Sequence, residues 1–190
     1  HGQEKTTPYF VAYGITLEEA VDKLFGSKKP GVSYPAKAGR SMNRAQLLQN
    51  RKKIEKAREA TPKAAAETPD VIVAAMGPLG HIYVKRKMTK QELDLYARKL
   101  VDEVKIPLVM TREKPGKVTA WVPRGSFTLP EQAEEVFGAD HPFLEEVRED
   151  IMCVCQHPEA GEYIIAGWSK GEPAISFPLE YGAHAAMGSE

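Results

Sequence analysis

The residues best suited to chemistry are two histidines near the ends of the chain. His184 lies among glycines and alanines in the segment 180–190, and His1 precedes Gly2 and Gln3. Such small neighbours leave an imidazole open to an approaching ion or substrate. An imidazole so placed can bind a metal, carry a proton or hydrogen-bond to the backbone. We therefore expect the two ends to converge, with His1 and His184 as candidate metal ligands.

Each histidine also has a plainer interpretation. His1 is alternatively a tag remnant or a loose terminus, and His184 a surface or backbone-bonded residue of a loop. The other three histidines are expected to play no part in chemistry. His81 should be a hydrogen-bonded structural residue at the start of a strand. His141 should be a surface residue at a helix start, and His157 a solvent-facing residue in a turn.

Cys153 and Cys155 are alternate residues of a predicted strand, 150–155, so both side chains should point to one face. A disulfide between residues two apart would be badly strained. The pair Cys-x-Cys is also too short by itself for a zinc site. Buried, reduced thiols are therefore favoured over a metal or redox pair.

Composition limits the classes of partner. Lysine plus arginine and aspartate plus glutamate both number 26 in 190 residues, so there is no net charge to attract nucleic acid or an anionic membrane. No apolar run approaches the roughly 20 residues that span a bilayer, and no apolar opening stretch suggests a signal peptide. A cytoplasmic location is expected. The chain starts without methionine, which suggests a piece of a larger protein.

Two capping boxes predict the clearest helices. Thr16 with Glu19 begins a helix that Gly26 ends, and Thr89 with Glu92 begins a second helix with one apolar side. Short helices are predicted within 128–138, closed by Gly138, and within 140–147. A basic helix from 42 to 60 is also predicted, and a solvated face is favoured over nucleic-acid binding for its cations, Arg44, Arg51, Lys52 and Lys53.

Strands are predicted where apolar runs are bounded by turn residues: 71–75, 81–85, 106–111, 118–122, 150–155 and 163–166. The unbroken apolar run 71–75 is typical of a central strand covered on both faces. The strands 106–111 and 118–122 should form a hairpin. From Trp168 onward, a loop is expected.

This alternation predicts an α/β or α+β fold with a mixed sheet and flanking helices. We divide the chain into three parts. Residues 1–26 contain the turn at His1 and the first helix, and residues 27–69 contain a basic loop and helix with a linker. Residues 70–190 form a mixed α/β portion that ends with the segment around His184.

Five short motifs resemble the alkaline phosphatase superfamily, and more narrowly its phosphodiesterase and nucleotide-pyrophosphatase-like branch. The last is similar to a Gly-x-His-Gly-Gly segment, with Ala185 and Ala186 in place of the glycines. In chain order they are His-Gly-Gln at 1–3, Tyr-Gly-Ile-Thr-Leu-Glu-Glu at 13–19, the strand-turn-strand 75–83, Asp-Ile-Met at 150–152, and 182–188.

The resemblance implies a partial alkaline-phosphatase-like core and two divalent ions, zinc or alternatively manganese, in the complete enzyme. His1 would bind one ion and His184 the other. The serine or threonine nucleophile and the first metal-binding aspartates of this superfamily lie upstream of the Asp-His-Gly motif. The resemblance therefore implies a fragment of a phosphoric ester hydrolase, inactive without the N-terminal half.

Two other functions remain open at this point. One is a non-catalytic accessory module that binds a partner through residues 27–69. The other is a phosphomutase of the same superfamily, which shares the metal ligands but returns the phosphoryl group to its substrate.

Overall fold

The computed structural model describes residues 4–26 and 70–183. His1, His184 and the predicted basic helix and linker of 27–69 lie outside the described residues. No helix in the described ranges is long and apolar enough to cross a membrane. The elements, in chain order, are β1 Glu4–Pro8, α1 Tyr9–Tyr13, α2 Leu17–Phe25, β2 Val71–Met76, β3 Leu79–Val84, α3 Lys90–Asp102, β4 Leu108–Lys114, β5 Lys117–Val122, β6 Gly125–Leu129, α4 Ala133–Phe137, α5 Leu144–Gln156, β7 Tyr163–Ala166, β8 Ala174–Ser176 and β9 Gly182–Ala183.

The strands form two sheets. The larger has six strands in the order β2-β3-β7-β4-β5-β6, and every neighbouring pair is antiparallel. The smaller has three strands in the order β8-β1-β9, and it is mixed, because β1 runs parallel to β8 and antiparallel to β9. Helices together with these sheets confirm the predicted α/β or α+β class.

Helices cover both faces of the large sheet, and the period of two along β7 shows this directly. Tyr163 and Ile165 belong to a core with residues of α1, α2 and α3, whereas Ile164 and Ala166 belong to a second core with residues of α4 and α5. All four residues are buried. Tyr9 and Val21 from the N-terminal segment join the first core, so residues 4–26 and 70–183 share it.

Both predicted capping boxes are confirmed. Thr16 accepts a hydrogen bond from the Glu19 backbone N–H at the start of α2, and Gly26 ends that helix in the left-handed conformation at φ 62°. Thr89 and Glu92 make the same reciprocal bonds at the start of α3. Each box satisfies backbone donors that the first helical turn would otherwise leave unpaired.

The strand predicted over 71–75 exists, but its predicted central position is wrong. Among the described strands, β2 lies at the edge of the large sheet. Val71 and Val73 face the first core, while Ile72 and Met76 on the opposite face are 40% and 82% exposed. An apolar run indicates that both faces of a strand are apolar. It does not indicate whether another element covers each of those faces.

The strand predicted over 150–155 is wrong. These residues form the second half of α5, and the first half of α5 includes the end of the short helix predicted over 140–147. Leu144, Val147, Ile151 and Cys155 recur at helical spacing and pack into the second core. A six-residue apolar window is too short to separate a buried strand from a buried helix.

The helix at 150–155 changes the expectation for the two thiols. Cys155 is buried with its Sγ 3.9 Å from the Met110 Sδ, and burial raises its pKa to about 12, whereas Cys153 is exposed. We expect iodoacetamide to alkylate one thiol of the native chain and both after denaturation, as counted by mass spectrometry. Cys153→Ser should abolish the native reaction. Equal labelling of both thiols in the native chain would contradict the helix.

Four of the described strands were absent from the sequence prediction: β1, β6, β8 and β9. β6 occupies the region where a helix was expected to begin at Thr128, and β8 lies in the segment after Trp168 that was expected to be a loop. The hairpin of β4 and β5 is confirmed, with Val109 paired to Trp121. Gly138 ends α4, also as predicted, because its N–H bonds to the Glu134 carbonyl.

Candidate functional site

The described residues next to the two chain ends are paired in one small sheet. Glu4 of β1 lies opposite Ala183 of β9, and Lys5 lies opposite Gly182. The pairing continues at Thr6, whose N–H donates to the Tyr181 carbonyl over 3.1 Å. The Thr6 hydroxyl also donates to the Glu180 carbonyl over 2.8 Å. The segments that lead to His1 and His184 therefore leave the described structure side by side.

Backbone hydrogen bonds fasten this small sheet to the large one. Ile175 in β8 donates its N–H to the Gly167 carbonyl over 2.7 Å, and Gly167 donates to the Pro78 carbonyl over 2.7 Å. Phe177 donates to Gly77 over 2.9 Å. Because Gly77 and Pro78 form the turn between β2 and β3, the paired ends are held at a fixed place on the molecule.

A pocket of about 530 Å³ adjoins β1. Lys5 lines one side of it. The remaining lining comes from the end of α4, the connection between α4 and α5, and the turn that follows Trp168. These residues are Phe137, Asp140, His141, Pro142, Trp168, Ser169, Lys170, Gly171, Glu172 and Pro173.

Three rings form the base of this pocket. Trp168 lies with its ring centroid 5.5 Å from Phe137 and 5.8 Å from His141, and the His141 ring is edge-on to both neighbours. His141 precedes the helix α5, as predicted, but it is half-buried and its imidazole packs against the two aromatic rings. Sequence reasoning missed it because Trp168 joins the ring cluster only through tertiary structure.

The His141 imidazole has one satisfied and one unsatisfied nitrogen. Its Nδ1 accepts a hydrogen bond from the Phe143 backbone N–H over 3.2 Å. In the neutral ring, this places the proton on Nε2. That Nε2 is buried and has no hydrogen-bond partner among the described atoms. A buried donor without a partner costs stability, and this one belongs to a residue that lines the pocket.

The charges around the pocket are unevenly paired. Lys170 forms an ion pair with Asp140, and this hydrogen bond holds the pKa of the Asp140 carboxyl below its usual value. Lys5 and Glu172 form no ion pair with another side chain in the described parts of the chain. Lys5 is thus the pocket cation left to attract an anion.

His81 and His157 stabilise the turn between α5 and β7. The His81 Nδ1 accepts a hydrogen bond from the Gly161 N–H over 3.3 Å, as expected for a structural histidine. The pKa of His81 is lowered, mainly by its burial and to a smaller extent by the nearby His157. His157 is exposed, as predicted, and its Nδ1 accepts from the Glu159 N–H. Arg112 donates to the His157 carbonyl over 3.2 Å, so this cluster fixes the turn between α5 and β7.

No group of three or more histidine, cysteine, aspartate or glutamate side chains suited to a metal ion occurs in residues 4–26 and 70–183. The predicted ligands His1 and His184 lie outside those ranges, so the zinc or manganese site stays a prediction. What the described structure provides is the placement of the backbone that leads to each of them.

No model of a known protein family, no curated protein sequence and no solved structure matches this chain. The geometry by itself defines an α+β protein with a large antiparallel sheet between two helical layers. A small mixed sheet brings residues 4–8 and 182–183 together beside a pocket with charged residues and an aromatic base.

Proposed function

We propose that this chain forms part of a metal-dependent phosphoric ester hydrolase resembling the phosphodiesterase and nucleotide-pyrophosphatase-like branch of the alkaline phosphatase superfamily. His1 and His184 are the proposed ligands of two neighbouring divalent ions, zinc or manganese. The observation that carries the proposal is the antiparallel pairing of Glu4 with Ala183 and of Lys5 with Gly182.

The pairing matters because it limits how far apart the two imidazoles can be. The Cα of His184 is one peptide unit, about 3.8 Å, from that of Ala183, and the Cα of His1 is at most about 11 Å from that of Glu4. Residues opposite each other in an antiparallel pair lie about 5 Å apart. The ions of a two-metal site lie about 3.5–4 Å apart, so a ligand from each end of the chain could bind one ion of such a pair.

β1 is held on its other side by a parallel pairing with β8, in which Thr6 lies beside Ala174 and Pro8 beside Ser176, and all four residues are buried. The strand that leads towards His1 is therefore fixed between two neighbouring strands.

In this proposal each histidine acts as a neutral imidazole that binds through one nitrogen. Paired divalent ions neutralise the phosphoryl charge and bind both the attacking and the leaving oxygen of an in-line displacement. Glycine and alanine around His184 leave room for a phosphoryl group to approach. The chain's own contribution is to hold its two histidines at the fixed end of the small sheet.

The nucleophile and the further metal ligands would come from an N-terminal portion of the complete enzyme, upstream of His1. A catalytic zinc needs about three protein ligands, so two histidines alone do not form a working centre. The 190-residue chain is therefore expected to show no hydrolysis of a phosphate ester by itself.

The test uses the protein extended upstream of His1. The added sequence should contain a serine or threonine preceded by metal-type aspartates. The extended protein should hydrolyse a chromogenic phosphodiester, lose that activity to a chelator, and regain it with zinc or manganese. An upstream sequence of another kind, or turnover that is insensitive to the chelator, would refute the proposal.

A further inference from the structure

We propose that the pocket beside β1 binds the hydroxyl-bearing alcohol portion of a phosphate ester, with Lys5 contacting the phosphoryl oxygens. The inference rests on the proposed function, because it gives the substrate class of that hydrolase as phosphorylated polyols. It concerns residues that all lie in the described structure, and it can be tested without any metal.

Lys5 is placed to connect the pocket with the chain ends. It lines the pocket and is also paired through its backbone with Gly182, next to the segment that leads to His184. Its exposed ammonium group has no ion-pair partner among the other described side chains, whereas Lys170 across the pocket is paired with Asp140. Lys5 is therefore the lysine of the described lining that is free to contact a phosphoryl group.

The rest of the lining suits hydroxyl groups better than a second anion. The carboxylates of Asp140 and Glu172 are acceptors only, and the Ser169 hydroxyl both donates and accepts. Alcohol hydroxyls can donate to these carboxylates and accept from the serine. A second phosphate would instead be repelled by Glu172, while Asp140 is neutralised by Lys170. The four charges of the lining sum to zero, so an anionic group is favoured only beside Lys5 and the rest of the ligand should be uncharged.

The aromatic base offers a ligand no free ring face. Trp168 and Phe137 are 7% and 1% exposed, so their rings support the lining and do not offer a free face for stacking. An aromatic leaving group would therefore gain little here. His141 is a residue of the same lining, and its buried Nε2 has no acceptor among the described atoms, so a ligand oxygen would provide one if the ring turned towards the pocket.

Trp168 provides a direct readout of binding. The chain has two tryptophans, and Trp121 packs against the first core whereas Trp168 belongs to the second, so Trp121→Phe leaves one indole, at the pocket. Glycerol 3-phosphate titrated into this variant, with chelator present, should change the emission saturably. Inorganic phosphate should bind at least about tenfold more weakly, and glycerol or phenyl phosphate should not outcompete glycerol 3-phosphate.

Lys5→Gln should weaken glycerol 3-phosphate binding at least about tenfold, because it removes a charged hydrogen bond but keeps an exposed polar side chain. Lys85→Gln, which changes an exposed lysine outside the pocket lining, is the matched control and should bind like the parent. Circular dichroism checks that both variants fold.

The outcomes separate this inference from the proposed function. Equal binding by the Lys5→Gln and Lys85→Gln variants, or tighter binding of phenyl phosphate, overturns the pocket assignment and leaves the metal-dependent hydrolysis untouched. No saturable change with glycerol 3-phosphate also overturns it. Saturable, Lys5-dependent binding supports the pocket even if the extended protein shows no metal-dependent turnover, in which case the hydrolase proposal alone fails.

Discussion

Gly167→Ala is expected to lower the free energy of unfolding by about 3 kcal/mol or more. A Cβ at this position would lie 1.8 Å from the carbonyl oxygen of Ile175, which belongs to rigid backbone. Relief requires β8 to move away, and that movement breaks the hydrogen bond from Ile175 to Gly167. The same change would disturb β1, which pairs with β8, so the small sheet that joins the chain ends should loosen.

Urea unfolding followed by circular dichroism measures this effect. Gly116→Ala is the matched control, because Gly116 is at φ 75° in a hairpin turn where an added Cβ meets nothing within 4 Å. That change should cost only about 1 kcal/mol, from the left-handed backbone. Similar losses for the two variants would mean that Gly167 does not fasten the two sheets. Failure of Gly167→Ala to fold while Gly116→Ala folds would agree with the larger loss.

His184→Ala in the upstream-extended protein is expected to lower metal-dependent turnover of a phosphodiester by about 100-fold or more. Outer-shell partners of a metal ligand already contribute about 10–100-fold, and a direct ligand should contribute at least as much. His1→Ala should have a similar effect. The double variant should lose little more than either single variant, because residues that act as one unit are not additive.

The control for these changes is His157→Ala. His157 is exposed, and its imidazole bonds only to a turn backbone N–H among the described atoms, so turnover should be unchanged. Zinc affinity, measured by calorimetry, should fall with turnover for His1 and His184 and stay constant for His157. Full turnover in the His184→Ala variant would restrict that residue to a structural role, and the two-metal proposal would fail.

Local sequence signals predicted the parts of the fold whose causes are local. The Thr16 and Thr89 capping boxes and the Gly26 helix end satisfy backbone groups within a few residues, so their sequence pattern and their structure coincide. The hairpin of β4 and β5 was predicted for the same reason, because a short turn leaves its two strands no nearer partner.

Features that depend on distant residues were missed or wrong. The edge position of β2 depends on the order of the strands in the sheet. Residues 150–155 were predicted as a strand because a six-residue window is too short to show the helical period. The pocket was not visible at all, since it combines Lys5, His141 and Trp168 from three separate parts of the chain. An isolated tryptophan after a buried strand, with a histidine before a proline, was the available signal, and neither residue alone indicates a site.

The convergence of the chain ends was predicted from two histidines in similar surroundings, and the pairing of Glu4 with Ala183 agrees with it at the level of the backbone. The physical cause was not in those histidines. It lies in the segments beside them, where β1 pairs with both β8 and β9. Whether the two imidazoles bind ions there stays a prediction.

Paramagnetic broadening tests the shared metal centre most directly. Substoichiometric Mn²⁺ is added to the upstream-extended protein, and amide signals are followed by NMR. We expect the signals of Lys5 and Gly182 to broaden together, because both adjoin the proposed ions, while that of Gly116 in the distant hairpin stays sharp. Broadening at one chain end only, or at neither end in a protein that retains metal-dependent turnover, would contradict a metal centre held by both ends of the chain.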